Sequence, residues 1–552
     1  MKSLLSKLVV LLFLLSFSHA FAQLKNNNDR PKLVVGIVVD QMRWDYLYKY
    51  YDRYGDDGFK RLLNQGFTAE NTLIPYVPTY TAIGHSSIYT GSVPAIHGIA
   101  GNDFYIRETQ KRMYCTQDDE VTGVGLDAEK KAGKMSPKNL LTTTITDELK
   151  LATDFKSKVI GVSLKDRGAI LPAGHFADAA YWNVDGNWVS SSFYMKELPK
   201  FVQDFNKADY TGKYLNGKWE TLYPIDTYMN HVGDDNPYEE KFRNQKTVTF
   251  PIDLKKALKE EGRELIKSTP FGNSVTLQFA KEIINREKMG TNPAGVPDFL
   301  AVSLSGTDYI GHQFAINSLK IEDTYLRLDK DLGEFFDFLD QNIGQGNYLI
   351  FLTADHGAAH NPQFIEDNKG NSGFWQRKEV LKNLNSVLET EFGHQKLVYT
   401  ISNNQVFLDY QQIESLKLDD EAIKKSAIQF LKKQEGVLFA ADMEKLSTSS
   451  MPARVKEMAI NGYNYKRSGD IQLILDPQWY GYWGSKEGTT HGAWNPYDSH
   501  IPLVFMGWGI KKGSTHRTTY MTDIAPTLSA LLHIQQPNGS IGEAVYEITD
   551  DN

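Results

Sequence analysis

Cysteine is almost absent: the chain of 552 residues contains one, Cys115. A single thiol cannot close an internal disulfide, so no disulfide framework staples the fold. Its setting, RMYCTQDD, matches no nucleophile or metal pattern, and Cys115 reads as structural. An excess of positive charge is also missing, because 60 Lys and Arg face 68 Asp and Glu for a net charge of -8. No general affinity for nucleic acid is expected, and an anionic substrate must be held by local positive charge. Beyond the N-terminus no apolar run reaches the roughly 20 residues of a transmembrane helix. Charge runs, low-complexity tracts and internal repeats are lacking too, and 41% apolar with 23% charged residues is the composition of a soluble globular protein.

What the N-terminus does have is an export pattern: Lys2 and Lys7, the apolar LVVLLFLLSF, then Ala20-Phe21-Ala22 before Gln23. Residues 1–22 are expected to be removed, leaving a mature chain of 23–552 that is periplasmic or secreted and keeps no stable membrane anchor.

Short β-branched runs alternate with helical patterns, which predicts an α/β fold: a three-layer sandwich with a mostly parallel central sheet and helices on both faces. The runs at 32–40, 158–164, 298–306, 347–355 and 501–507 are nearly all apolar, as strands buried on both faces should be. Two stretches, about 172–251 and 397–477, read as insertions that form a cap over the site. Trp182, Trp188 and Trp219 in the first are expected in its own small core rather than in a pocket.

Ligand sites of open α/β sheets lie beyond the carboxyl ends of the strands. There the sequence puts Asp40, Asp308 and the adjacent Asp355 and His356, with His491 just before a later strand. Asp308 and His312 share one face if a helical turn begins there. Any one of these alone is an unremarked helix cap or surface carboxylate; three Asp and three His together suit zinc, and divide into two sites of three ligands. Two such ions clamp the attacking and leaving oxygens of a displacement at phosphorus.

At this point the chain resembles the alkaline phosphatase superfamily, and within it the PafA-type alkaline phosphatases. The resemblance runs through VVDQMRWDYL, PTYTAIGH with TGSVPAIHGIAGN, SLKDRGAILPAGH, SLSGTDYIGH, TADHG and GTTHGAWNPYDSHIPL. It implies two Zn2+ per chain, one on Asp40, Asp355 and His356 and the other on Asp308, His312 and His491. It also implies that Thr81 is a metal-bound nucleophile that becomes phosphorylated, since a threonine hydroxyl attacks poorly unless a metal lowers its pKa. Thr79 would be turned away from the metals. His85, one turn from Thr81, reads as structural rather than as its base, and His97, His360 and His500 likewise.

The resemblance further implies that Asn102 donates to a phosphoryl oxygen. Lys165 and Arg167, two residues apart at a strand end, are expected on one face, where they balance the charge of a phosphate monoester. That pair favours a zinc-dependent alkaline phosphatase releasing phosphate from small-molecule monoesters over a phosphodiesterase or nucleotide pyrophosphatase. No ligands for a magnesium site are evident, and the Lys165 ammonium is expected to fill its electrostatic role. A non-catalytic, metal-stabilised binding protein is a third reading, disfavoured by the complete ligand set with Thr81. The expected state is a monomer with no specific nucleic-acid partner.

Overall fold

A computed structural model of the chain describes residues 30–127, 130–229, 232–243, 245–482 and 484–549. The export signal expected at 1–22 lies outside the described residues.

The central sheet is built from β1 (Leu33–Val39), β2 (Phe67–Leu73), β3 (Gly123–Val124), β4 (Val159–Ser163), β5 (Ala179–Val184), β6 (Asn187–Ser191), β7 (Asp298–Leu304), β8 (Tyr348–Thr353), β9 (His500–Ile501), β10 (Leu503–Gly507) and β11 (Gly513–Tyr520). Their spatial order is β9-β2-β10-β8-β1-β7-β4-β5-β6-β3, with β11 paired to β2. The middle, β8-β1-β7-β4-β5, is parallel; β10 and β6 join it antiparallel at either side. β1 is wholly buried, as its apolar sequence requires of a strand covered on both faces.

Helices form two separate layers. Thr81–Thr90 (α1), Asp166–Ala173 (α2) and Ile524–Leu532 pack together, whereas Phe271–Glu287 pairs with Leu319–Asn342, which also receives Gly306–Phe314 (α3). One hydrophobic core runs through the sheet and both layers. Among the described residues no helix is long and apolar enough to cross a membrane.

One expectation needs correcting at its edge. The stretch from residue 172 was expected outside the sheet, yet β5 pairs in parallel with β4, and β6 turns back on it. Burial explains the aromatic content: Trp188 stacks on Phe279 at 4.4 Å, and the Trp219 indole donates to Asp323 at 2.7 Å. The later stretch builds a separate four-stranded sheet from Val398–Ser402, Gln405–Leu408, Val437–Asp442 and Ile471–Leu475, with a core of its own. Residues Thr400 to Asn403 of that sheet wall the cleft in front of the carboxyl ends of the central strands.

Candidate active site

Parallel strands deliver their polar residues to one edge. Asp40 follows β1, and its backbone N-H donates to the last carbonyl of β7. Asp308 and His312 sit one turn apart on α3, with Nε2 of His312 3.1 Å from Oδ1 of Asp308. Asp355 and His356 follow β8, and His491 arrives from the segment before β9.

The six side chains converge. Nε2 of His356 lies 3.5 Å from Asp40 Oδ1 and 3.4 Å from Asp355 Oδ2, and Nε2 of His491 lies 3.6 Å from Asp308 Oδ1. His356 stands between the two groups, its ring stacked on His491 with centroids 3.5 Å apart. Asp40, Asp355 and His356 form one compact donor set; Asp308 with His491 forms another, which His356 also borders.

Tautomers are fixed in the sense that metal binding requires. Each imidazole donates its Nδ1-H to a backbone carbonyl: His312 to Thr489 at 2.8 Å, His356 to Gly357 at 3.0 Å, and His491 to Thr79 at 2.7 Å. All three Nε2 lone pairs therefore face the carboxylates. Asp40 Oδ1 and Asp355 Oδ2 are buried without any hydrogen-bond partner. Such orphaned anionic oxygens are costly unless a cation meets them. The donor set thus fits metal binding.

Electrostatics point the same way. Burial and the neighbouring carboxylates Asp308 and Asp355 push Asp40 well above the ordinary carboxylate range. Against its own burial, Asp308 is held well below that range by His312 and Lys165. Burial keeps His356 and His491 neutral by lowering both. Three buried carboxylates thus share one permanent cation, the ammonium of Lys165, at 2.7 Å from Asp40 Oδ2 and 2.5 Å from Asp308 Oδ2.

Thr81 is the first residue of α1 and is 1% exposed. Its Oγ1 lies 3.4 Å from Nε2 of His356. Gly84 makes that approach possible, because a Cβ there would stand 2.4 Å from the carbonyl oxygen of Asp355. Asn102 reaches the same helix start, its Oδ1 accepting from the N-H of Ala82 at 2.9 Å. The His85 ring spans the Thr81 carbonyl (2.9 Å) and the Ser303 hydroxyl (2.8 Å), which is a structural placement and not a bond to the Thr81 hydroxyl.

The basic pair differs from expectation in its setting. β4 ends at Ser163, and Lys165 and Arg167 flank the first residue of α2 instead of closing a strand. Lys165 consequently enters the carboxylate cluster, while Arg167 donates to the Tyr114 hydroxyl at 3.1 Å and keeps a buried Nε without an acceptor. Both border a cavity of about 340 Å3 shared with Tyr309. Asn102, His312 and His491 instead open on a larger cleft of about 1000 Å3, with Tyr80, Tyr105 and Arg377 in its walls.

Gln41 was not singled out by sequence. It adopts φ 65°, donates its backbone N-H to Asp355 at 3.2 Å and its side-chain amide to Asp308 at 2.7 Å, and so braces both ligand groups. Its position directly after Asp40 was the only available signal.

Known proteins resemble this chain over most of its length. The family model for type I phosphodiesterase / nucleotide pyrophosphatase matches residues 34–498. A Myroides odoratus protein named calcium-transporting ATPase is 61% identical over 94% of this chain and 95% of its own. Alkaline phosphatase PhoV of Synechococcus elongatus is 55% identical over 94% and 93%. Alkaline phosphatase PafA of Elizabethkingia meningoseptica is 49% identical over 96% of each chain. The crystal structure of wild-type PafA superposes with a TM-score of 0.91 at 49% identity, covering 94% of this chain and 99% of that one.

Proposed function

Because the chain belongs to the type I phosphodiesterase / nucleotide pyrophosphatase family, as a PafA-like member of the alkaline phosphatase superfamily, we propose that it hydrolyses phosphate monoesters through Thr81. The observation that carries this reading is the Thr81 hydroxyl 3.4 Å from Nε2 of His356, a nitrogen that itself lies within 3.5 Å of two orphaned carboxylate oxygens.

Asp40, Asp355 and His356 would hold one zinc ion, and Asp308, His312 and His491 the other. Zinc bound there supplies the positive charge that lowers the pKa of a hydroxyl and steadies charge on the attacking and departing oxygens. Thr81 Oγ1 forms a bond to phosphorus as the bond to the leaving oxygen breaks, and water then cleaves the phosphothreonine to release inorganic phosphate. The first N-H groups of α1 point toward the phosphoryl oxygens. Asn102 donates to one of them through its amide nitrogen, since its Oδ1 is already engaged by Ala82. Lys165 and Arg167 supply the cationic charge that a monoester needs beyond that of a diester.

The family description favours diester cleavage as the second reading. Acid quenching during turnover of p-nitrophenyl phosphate, followed by peptide mass analysis, separates the two mechanisms from inert binding: a phosphate on Thr81 is expected, and full activity in Thr81→Ala would overturn the assignment. Export to the periplasm or medium after removal of residues 1–22, and a monomeric state, complete the proposal; N-terminal sequencing and light scattering of protein from the native host test them.

A further inference from the structure

Thr79, two residues before the proposed nucleophile, belongs to a hydrogen-bond assembly that centres on Asp498. Its carbonyl accepts the Nδ1-H of His491 at 2.7 Å. Its hydroxyl accepts the N-H of Gly492 at 3.1 Å and donates to the carbonyl of Ala493 at 3.1 Å. Asp498 is fully buried and accepts the N-H of Ala493 on Oδ2 at 2.7 Å. The strand of contacts therefore fixes His491 through its ring and through the two residues that follow it.

The same residue reaches the other ligand group through its backbone. The Asp498 carbonyl accepts the N-H of Gly357 at 2.8 Å, and the Tyr497 carbonyl accepts the N-H of Ala358 at 2.9 Å. Gly357 is the residue whose carbonyl holds Nδ1 of His356. Its lack of a side chain is required, because a Cβ would stand 2.2 Å from the Tyr497 carbonyl oxygen. Arg43 also donates to this turn, to the Ala358 carbonyl at 3.3 Å.

We infer that Asp498, acting with Thr79, is a positioning residue that sets the Nε2 atoms of His491 and His356 for their two metal ions. Asp498 touches neither substrate nor metal; it acts through backbone groups on either side. One residue placed where two ligand-bearing turns meet can hold both in register: its carboxylate accepts from Ala493 on the His491 side, and its backbone carbonyl accepts from Gly357 on the His356 side. Partners that orient metal-binding imidazoles typically contribute 10- to 100-fold in metal affinity. The inference rests on the two-zinc reading above.

The test is zinc affinity by competition with a chromogenic chelator, on full-length wild type, Asp498→Ala, Asp498→Asn and Thr79→Val, alongside turnover. Asp498→Ala is expected to weaken at least one zinc by roughly 10- to 100-fold. Asp498→Asn, whose amide oxygen still accepts from Ala493, should recover most of that loss. Thr79→Val removes only the hydroxyl bonds and should weaken zinc by several-fold, and it decides the matter if Asp498→Ala does not fold. Wild-type zinc affinity in Asp498→Ala, or in Thr79→Val where Asp498→Ala does not fold, would overturn the inference. Failure of the wild type itself to bind zinc would instead overturn the two-zinc reading.

Discussion

Replacing Lys165 by Met keeps most of its volume and removes the one permanent cation among Asp40, Asp308 and Asp355. Its ammonium is 1% exposed and contacts both Asp40 and Asp308, so solvent screens neither contact. Removing one partner from a buried ionic group costs about 3–5 kcal/mol, because the remaining charges lose their compensation. That cost falls on the zinc-free protein. Two divalent cations on the same carboxylates replace the lost charge, and the ammonium must give up contacts for them to bind. By the thermodynamic cycle, Lys165→Met should bind zinc up to roughly two to three and a half orders of magnitude more tightly, at 1.4 kcal/mol per decade. Monoester turnover should fall, since the same ammonium is proposed to meet the phosphoryl group. The assay is thermal unfolding of both proteins with chelator and with saturating zinc, plus chelator competition at pH 8. Equal destabilisation with and without zinc, or weaker zinc binding in the variant, would refute the reasoning.

Thr81→Ala should lose nearly all monoester turnover while retaining its zinc, measured by metal analysis of the same sample. Lys165→Ala and Arg167→Ala should each lower kcat/KM for a monoester roughly 10- to 150-fold more than for a diester, the worth of one charge-assisted hydrogen bond of about 1.5–3 kcal/mol. His97 is buried, with Nε2 on the Ser87 hydroxyl and Nδ1 accepting from Ile99, and burial lowers its pKa to about 3. The unfolded chain takes up that proton near pH 6.5 and the folded chain does not, so stability present above pH 6.5 is lost as the pH falls toward 3. Urea unfolding of zinc-saturated His97→Gln below pH 6.5 should show a slope shallower than wild type by about 1.4 kcal/mol per pH unit; an unchanged slope would contradict the assignment.

The sheet was legible where both faces are buried, because β1, β4, β7, β8 and β10 are apolar almost without interruption. β11 was not, since its residues alternate between half-buried and exposed, with only Thr519 buried, as an edge strand's do. The start of α2 was misread because Gly168 and Pro172 argue against a helix by local propensity, and packing against β4 and α1 overrides them. Asp308 and His312 were legible from their spacing of one helical turn, and Asp355 with His356 from the glycine that follows. Gln41 and Asp498 were not: one depends on a left-handed backbone that its residue type does not announce, the other on hydrogen bonds between segments far apart in sequence. The division of ligands between two metals came from resemblance, and His356 standing between the two sets shows why spacing alone could not give it.

The central claim is tested most directly by zinc stoichiometry measured together with turnover of p-nitrophenyl phosphate and its bis ester on one preparation. Two zinc ions per chain and a preference for the monoester are expected; activity independent of zinc, or a preference for the diester, would contradict the account.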